Sequence, residues 1–466
     1  MTRRSLSTDK CFPASGVKFV PDTDDQAPPD AETRYCLNRV LTAVTVIGLD
    51  DTDSRERGMC TTYVAATLAE RLRDAGGTVE RRVLVRLTPG VEHKTRGNAA
   101  LAVHTDLDPA RALELARDHL DLAETEDPRT NPGVVVAPGG PEDVPAAVAR
   151  FARAAVRDYH DIDDAVGLAA ESGYETAHAG NGRGRIGALA AVGAWRAFDD
   201  WTYECLSYRE RDRWGTERDV DRGSVFAAAD RAYPTAWDTV DRGEGYPVCV
   251  PRTPCPVLHG IRGDDPESVR SVAGSIESES VASRALFVTN QGTDAHLQSV
   301  DGFADVSAGR AFRVDGEVVA PAETREGGHV FCELRSDDGE QMTAAAFEPT
   351  KRFRDRVRAL RVGDRLTVCG EVSGGTLKLE KFAVRELATA ELATPDCPDC
   401  DRSMGSAGAG QGYRCRDCGT SADGKVAVPV ERDLEPGWYE VPPCARRHVA
   451  KPLVRGDFDA PTHPER

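Results

Sequence analysis

Cys397-Pro-Asp-Cys400 and Cys415-Arg-Asp-Cys418 are two Cys-x-x-Cys pairs separated by 14 residues rich in Gly and Ser. Each pair can set two thiolates on one tight turn, and two such turns make the tetrahedral sulfur cage that Zn²⁺ prefers. Two disulfides are the other use of four such thiols; the spacing, close to that of zinc modules, favours the metal. A site of this kind holds a small module together and says little about a reaction. The chemistry lies earlier. Asp50, Asp51 and Asp53 crowd into four residues directly after the apolar run 42–49. Carboxylates this close repel, so a folded loop gains from a cation among them, and Mg²⁺ takes one or two carboxylates and fills its shell with substrate phosphates. A solvated acidic loop is the competing reading. Gly58-Met-Cys-Thr-Thr62 then opens a helix whose first amides can hold an anion, without the lysine and spacing of a P-loop. Lys94 and Arg96 could supply cations for a triphosphate, and glycine-rich residues 180–187 form a second candidate phosphate or RNA cradle. Together these are the parts that phosphoryl transfer needs. Asp294 and His296 follow a strand and could bind a cationic group, act as a base, or only cap a domain.

These residues need several domains to carry them. The chain has 466 residues, which suggests about three domains. Its formal net charge is −18, and only eight of its 59 basic residues are lysine. Acid-rich, lysine-poor surfaces stay hydrated in concentrated salt, so the composition reads as that of a halophile's protein. The charge argues mildly against nucleic-acid binding, yet salt screens the long-range field and leaves contact-range arginines effective. No run approaches the ~20 apolar residues of a membrane helix, and no obligate protein partner is indicated. Nine cysteines outside the two pairs are scattered, which fits a reducing cytoplasm. Residues 1–41, rich in Pro, Asp and Thr, read as a disordered extension.

Alternating strand and helix patterns predict an α/β domain over 42–197. Its strands fall at 42–49, 82–87, 99–105 and 134–136, and its helices at 63–72, 109–123, 142–157 and 186–197, with Thr61 or Thr62 as cap of the first. An α+β domain follows over 198–302, with strands near 203–209 and 285–289 and a helix at 269–276. Short strands over 303–390, interrupted by a helix at 351–360, match an OB barrel if 311–314 and 316–319 are one bent strand; another small barrel is the alternative. A zinc ribbon at 391–428 and a basic tail at 429–466 complete the series. A barrel, a ribbon and a basic run point to RNA or DNA handling.

Several motifs resemble one archaeal tRNA-modifying family, the 2-agmatinylcytidine synthetases of isoleucine tRNA. They are Gly48-Leu-Asp-Asp-Thr-Asp-Ser54, Gly58-Met-Cys-Thr-Thr62, Lys94-Thr-Arg-Gly-Asn98, Thr202-Tyr-Glu204, Thr289-Asn-Gln-Gly-Thr-Asp-Ala-His296, Gly327-Gly-His329, Phe347-Glu-Pro-Thr-Lys351 and Ala445-Arg-Arg-His448. They run in order over about 42–456, with Leu49 where the family pattern leads one to expect Ile. The resemblance implies a kinase-like domain, a ferredoxin-like domain, an OB fold and a zinc ribbon. It also implies ATP-dependent joining of agmatine to C2 of the wobble cytidine in the CAU-anticodon isoleucine tRNA, which allows AUA decoding. By the same resemblance Asp50, Asp51 and Asp53 organise Mg²⁺ and ATP, and Thr61 is a threonine that becomes phosphorylated. Gly58, Lys94, Thr95, Arg96 and Asn98 then lie near the triphosphate or target base. Agmatine's guanidinium needs a carboxylate: Asp294, with His296 beside it, is the first nomination and Glu204 the second. The tRNA is expected along the barrel and ribbon, with the basic tail near its backbone.

Two other classes are open. A non-catalytic single-strand binder would use residues 306–455 and leave the front of the chain idle. A nucleic-acid-end ligase or nucleotidyl transferase usually carries a nucleophilic lysine in a KxDG-like setting, and the chain has none.

Overall fold

The computed structural model describes residues 44–91 and 97–466. Strand β1 (Thr45–Asp50) runs straight into the aspartate loop. Helix α1 (Thr61–Asp74), the β2 (Val79–Arg86) and β3 (Ala99–Thr105) pair, α2 (Pro109–His119), β4 (Gly133–Pro138), α3 (Ala146–Ala155), α4 (Ile162–Glu171), β5 (Glu175–His178) and α5 (Gly184–Ala197) follow. β1 lies between β3 and β4, antiparallel to both. Its apolar run does not alternate because helices cover both of its faces. Ile47 and Leu49 pack with α1 and α2 on one side, and Val46 packs with α3, α4 and α5 on the other.

The next stretch adds β6 (Thr202–Arg209), α6 (Arg222–Ala232), β7 (Ala236–Trp237), β8 (Val257–Gly263), α7 (Pro266–Ser275) and β9 (Val281–Thr289). The expected α/β and α+β regions share one nine-stranded sheet of order β5-β4-β1-β3-β2-β9-β6-β8-β7. The seam is a short parallel pairing, Val83 with Val288 and Leu84 with Thr289. It sets the end of β2 beside the residues that follow β9.

The second half opens with β10 (Leu297–Ser299), β11 (Ala311–Val318), β12 (Glu323–Thr324), β13 (Val330–Arg335), β14 (Gln341–Ala346), α8 (Phe353–Arg358), β15 (Arg365–Ser373) and β16 (Thr376–Glu386). Five of these strands close a ring, β11-β13-β14-β16-β15-β11, in which only the β14–β16 pairing is parallel. β11 is one continuous strand across both runs read from the sequence. A two-stranded arm, β17 (Ala390–Ala393) with a later partner, carries β18 (Gly405–Ser406), β19 (Tyr413–Arg414) and β20 (Ser421–Ala422), and closes with β21 (Val426–Pro429). The chain then returns: β22 (Gly437–Glu440) pairs with β16, and β23 (Thr462–His463) pairs with β22.

This return corrects the picture of a basic tail free for RNA. Trp438 and Leu453 are core residues. Arg446 is buried between Asp238, on the sheet side, and Glu440 at 2.8 Å. Arg447 pairs with Glu371 and with Glu380 at 3.1 Å. The nominated agmatine ligands Asp294 and His296 are part of the same seam. Both Asp294 oxygens accept from Lys381 Nζ, at 2.9 and 2.7 Å, and Oδ1 also takes the Lys451 N–H. His296 Nε2 lies 2.9 Å from Glu380 Oε2. Asp294 therefore faces a buried lysine rather than open space, and His296 is engaged by a barrel carboxylate.

Burial by itself would raise the Glu380 carboxyl, but His296 and Arg447 outweigh it and hold it down at about 2. Because that lies below the ordinary 4.5, the stabilisation is present above pH 4.5 and is lost as pH falls from there toward 2. Glu380→Gln is therefore expected to cost about 3 kcal/mol at neutral pH. The gap from wild type should close on acidification, read by denaturant melts at several pH values. A pH-independent gap would show that Glu380 stabilises by packing alone.

Candidate functional site

β1 delivers Asp50 to the sheet edge, and the chain turns at once. Asp51 takes φ 60°, and its N–H donates to Asp50 Oδ1 at 2.7 Å. Asp51 Oδ2 accepts from the Asn131 N–H at 3.1 Å and from Arg183 Nη2 at 2.8 Å. Thr130 Oγ1 donates to the Asp53 carbonyl at 2.8 Å. The loop closes where the Ser54 N–H donates to the Gly58 carbonyl at 2.8 Å and Ser54 Oγ donates to Asp127 at 2.7 Å. Gly58 needs its positive φ of +101°, and a Cβ there would sit 2.9 Å from the Pro254 carbonyl oxygen.

Helix α1 starts from this turn. Its cap is Cys60, which makes no side-chain cap bond, and no acidic residue stands in the first turn. Thr61 and Thr62 are thus the first helical residues rather than the cap; the Tyr63 N–H already donates to the Cys60 carbonyl at 2.9 Å, which leaves the first two amides of α1 for an anion. Thr61 Oγ1 accepts from Thr52 Oγ1 at 3.1 Å.

The glycine-rich segment 180–187 serves the aspartates by close approach. A Cβ on Gly187 would lie 2.0 Å from Asp50 Oδ2, and one on Gly184 would lie 2.7 Å from the Asp50 carbonyl oxygen. Helix α5 can press on the end of β1 only with glycine at both places. Burial, then the neighbouring Asp51, push the Asp50 carboxyl well above its usual range. Burial also raises Asp51, with the Arg183 guanidinium pulling the other way. Asp50 and Asp51 lie beside Arg183, and one or two carboxylates are the share that Mg²⁺ takes from a protein; among the described residues only the four cysteines further along bring three or more ligand atoms within 4.8 Å of one another.

These groups line a cleft of about 440 Å³. The first half of the sheet contributes Asp50, Asp51, Asp53 and Thr61; the second half contributes Glu204 and Arg262; the C-terminal segment contributes His448. Asn98 also lines it, with its amide donating to the Thr88 carbonyl at 3.0 Å. Lys94, Thr95 and Arg96 lie outside the described residues. Asp294 and His296 are absent from the lining, so of the three agmatine nominations only Glu204 reaches the cleft. Sequence reasoning missed Arg183, Arg86 and Arg262. Arg183 had a signal, an arginine inside a glycine-rich run before a helix; the other two sit in strands like any charged residue.

The Cys397, Cys400, Cys415 and Cys418 sulfurs, none of which lines the cleft, all lie within 4.8 Å of one another. Gly419, at φ +82°, turns the second pair, and its N–H donates to the Cys415 carbonyl at 3.1 Å. The described cysteines are all free of disulfides, and four converging thiols fit one tetrahedral Zn²⁺.

Two outcomes follow from these placements. Gly187→Ala should displace Asp50 at a cost of about 1–3 kcal/mol. With Asp50 displaced, affinity for a nucleoside triphosphate with Mg²⁺ should fall by roughly tenfold, read by calorimetry, and unchanged affinity would count against Asp50 as a ligand-site residue. Purified protein should carry one zinc per chain by elemental analysis, and Cys397→Ser should lose it; full metal content in that variant would exclude the four-thiol site.

Comparison with known proteins gives the same arrangement a family. Models described as the TiaS TCKD domain, the TiaS FLD domain and the TiaS C-terminal zinc ribbon domain match residues 46–181, 182–296 and 394–434. The isoleucine-tRNA 2-agmatinylcytidine synthetase TiaS of Haloquadratum walsbyi is 52% identical over 463 residues, covering 91% of this chain and 100% of that one. A crystal structure of TiaS in complex with isoleucine tRNA and ATP superposes with a TM-score of 0.82 at 40% identity, over 91% of this chain and 100% of that one. A complex of TiaS with isoleucine tRNA, AMPCPP and agmatine superposes with a TM-score of 0.80 at 38% identity, with the same coverage. The chain belongs to the TiaS family, the 2-agmatinylcytidine synthetases of isoleucine tRNA.

Proposed function

We propose that this protein joins agmatine to C2 of the wobble cytidine in the CAU-anticodon isoleucine tRNA, driven by ATP cleavage, so that the tRNA reads AUA. The observation that carries the reading is the single cleft that gathers Asp50, Asp51, Asp53, Thr61 and Glu204. It sits in a chain that aligns over most of its length with complexes containing isoleucine tRNA, ATP and agmatine.

The C2 oxygen of cytosine is a poor leaving group. It becomes a good one when it takes a phosphoryl group from ATP. The amine nitrogen then bonds to C2, the C2–O bond breaks with its electron pair leaving on phosphate, and the nitrogen gives up a proton. In this reading Asp50, Asp51 and Asp53 would hold Mg²⁺, which when bound supplies positive charge to the triphosphate. Gly58 shapes the turn that presents the α1 amides to phosphate, and Thr61 is the hydroxyl placed to become phosphorylated. Asn98 and the Lys94-Thr95-Arg96 segment serve the triphosphate or the target base. Glu204, buried in the cleft wall, is the carboxylate for the agmatine guanidinium. The target base must leave its stack to reach this cleft, a cost of a few kcal/mol.

The finer domain names belong to the same proposal. Residues 42–197 are a kinase-like domain and 198–302 a ferredoxin-like domain, supported by the four strands β6–β9 with α6 and α7 packed on them. Residues 303–390 are an OB fold, supported by the ring order and by α8 between the third and fourth ring strands. The zinc ribbon is residues 391–428. A tRNA substrate is the support for a cytoplasmic reaction; no helix among the described residues is long and apolar enough to cross a membrane.

The test is incubation in high salt with ATP, Mg²⁺, labelled agmatine and the CAU-anticodon transcript. Label should enter the tRNA and depend on ATP and on the wobble cytidine. Asp51→Ala should abolish incorporation, by at least about 100-fold, while tRNA affinity stays within about twofold. ATP-independent binding to any single strand, with no label transferred, would replace the ligase by a binding module.

A further inference from the structure

Three motifs that are far apart in the chain meet in one line of hydrogen bonds beside the cleft. Glu204 comes from β6, Gln291 from the turn after β9, and His448 from the returning C-terminal segment. Gln291 Nε2 donates to Glu204 Oε2 at 2.6 Å. Its Oε1 faces His448 Nδ1 at 3.0 Å and Arg86 Nη2 at 3.4 Å. The amide cannot turn over, because a carboxylate only accepts and a guanidinium only donates. Its carbonyl therefore faces the imidazole, which puts the ring proton on Nδ1 and the lone pair on Nε2. Nε2 has no hydrogen-bond partner among the described residues.

His448 lines both the cleft and an adjoining pocket of about 510 Å³ that reaches the barrel residues Glu371, Ser373 and Lys378. The Arg86 guanidinium beside it, with burial and Arg262, holds the imidazole well below its usual range, so it stands neutral near pH 7. The line is not needed to anchor the C-terminal segment. Backbone bonds do that: the Gly292 N–H donates to the His448 carbonyl at 2.8 Å, and the Thr293 N–H to that of Val449 at 3.1 Å.

We propose that His448 Nε2 accepts the proton lost by the attacking amine as its nitrogen bonds to C2, with Gln291 as the positioning residue that sets the tautomer. The inference rests on the reaction given under Proposed function. The N–C2 bond forms, the C2–O bond breaks with its pair leaving on phosphate, and the N–H proton passes to Nε2. A nitrogen that has just bonded to C2 is strongly acidic, so a weakly basic imidazole suffices as acceptor. The imidazolium, beside Arg86, then gives the proton to the departing phosphate.

Single-turnover transfer of labelled agmatine is compared in wild type, His448→Ala and Gln291→Met. His448→Ala is expected to slow transfer by about 100-fold, to keep the melting temperature and tRNA affinity of wild type, and to recover in part when imidazole is added. Gln291→Met should slow it by a smaller factor. ¹⁵N spectra of the wild-type imidazole should show a neutral ring protonated at Nδ1, and Gln291→Met should remove that preference. Transfer by His448→Ala within twofold of wild type, or a wild-type ring protonated at Nε2, overturns the proposal. A wild type that transfers no agmatine to any transcript would instead remove the reaction, and the ¹⁵N spectrum still reads the tautomer without turnover.

Discussion

Asp50 can reach the cleft because helix α5 offers no side chain where it meets the end of β1. Any carbon at Gly187 would fall 2.0 Å from the Asp50 carboxylate, and Gly48 and Gly133 let the same helix close on the strands, with a Cβ at 2.0 Å from the Ala188 carbonyl and 2.2 Å from the Arg185 N–H nitrogen. That approach leaves the Asp50 and Asp51 carboxyl groups crowded together at the cleft wall, where burial raises both, an arrangement that folding alone disfavours. A position this costly persists where the charge has a task. The front of the fold can be understood from it. Helices on both faces of β1 keep the strand end rigid, Arg183 offsets part of the charge, and the open N-terminus of α1 adds positive potential for phosphate.

The second half of the molecule completes that site as well as packing beside it. The turn after β9 lies next to β2 because of the parallel seam, so Asn290 binds the Arg86 backbone at 2.7 and 3.0 Å while Gln291 binds Glu204. The next residues of the same turn, Asp294 and His296, plug into Lys381 and Glu380 of the barrel. One stretch of eight residues, Thr289 to His296, thus joins the two halves of the sheet, the barrel and the C-terminal return. Removing one partner from such buried pairs is costly even where the pair itself stabilises little. The pairs act to fix the relative position of the cleft and the barrel.

Much of this was legible in the sequence. The β1 run, the aspartate loop and α1 followed from a continuous apolar stretch, a charge cluster and helical spacing, because each is a local signal. The ring of strands and the four thiols were legible for the same reason. What local pattern could not carry was pairing across distance. Asp294 next to His296 looks like a ligand pair at a strand end, and nothing within several residues announces Lys381 or Glu380 as partners. Arg446, Arg447 and His448 look like a basic patch until Asp238, Glu371 and Glu380 are folded against them. The helices at 162–171 and 222–232 lacked a strong apolar stripe, and the single sheet was hidden because its seam is only two residue pairs long.

The proposed RNA substrate would have to be held by a chain of net charge −18. Many of its cations are already paired: Arg209 with Glu279, Arg432 with Asp364, Arg446 with Glu440 and Lys381 with Asp294. In molar salt the Debye length is about 3 Å, so the acidic surface neither repels a tRNA at range nor can a basic surface steer one. Recognition must come from contact: hydrogen bonds, base stacking and a cleft of the right shape, the terms that salt weakens least. A half-exposed arginine or lysine at the pocket between cleft and barrel, such as Lys378, then matters for where it touches and little for the field it adds.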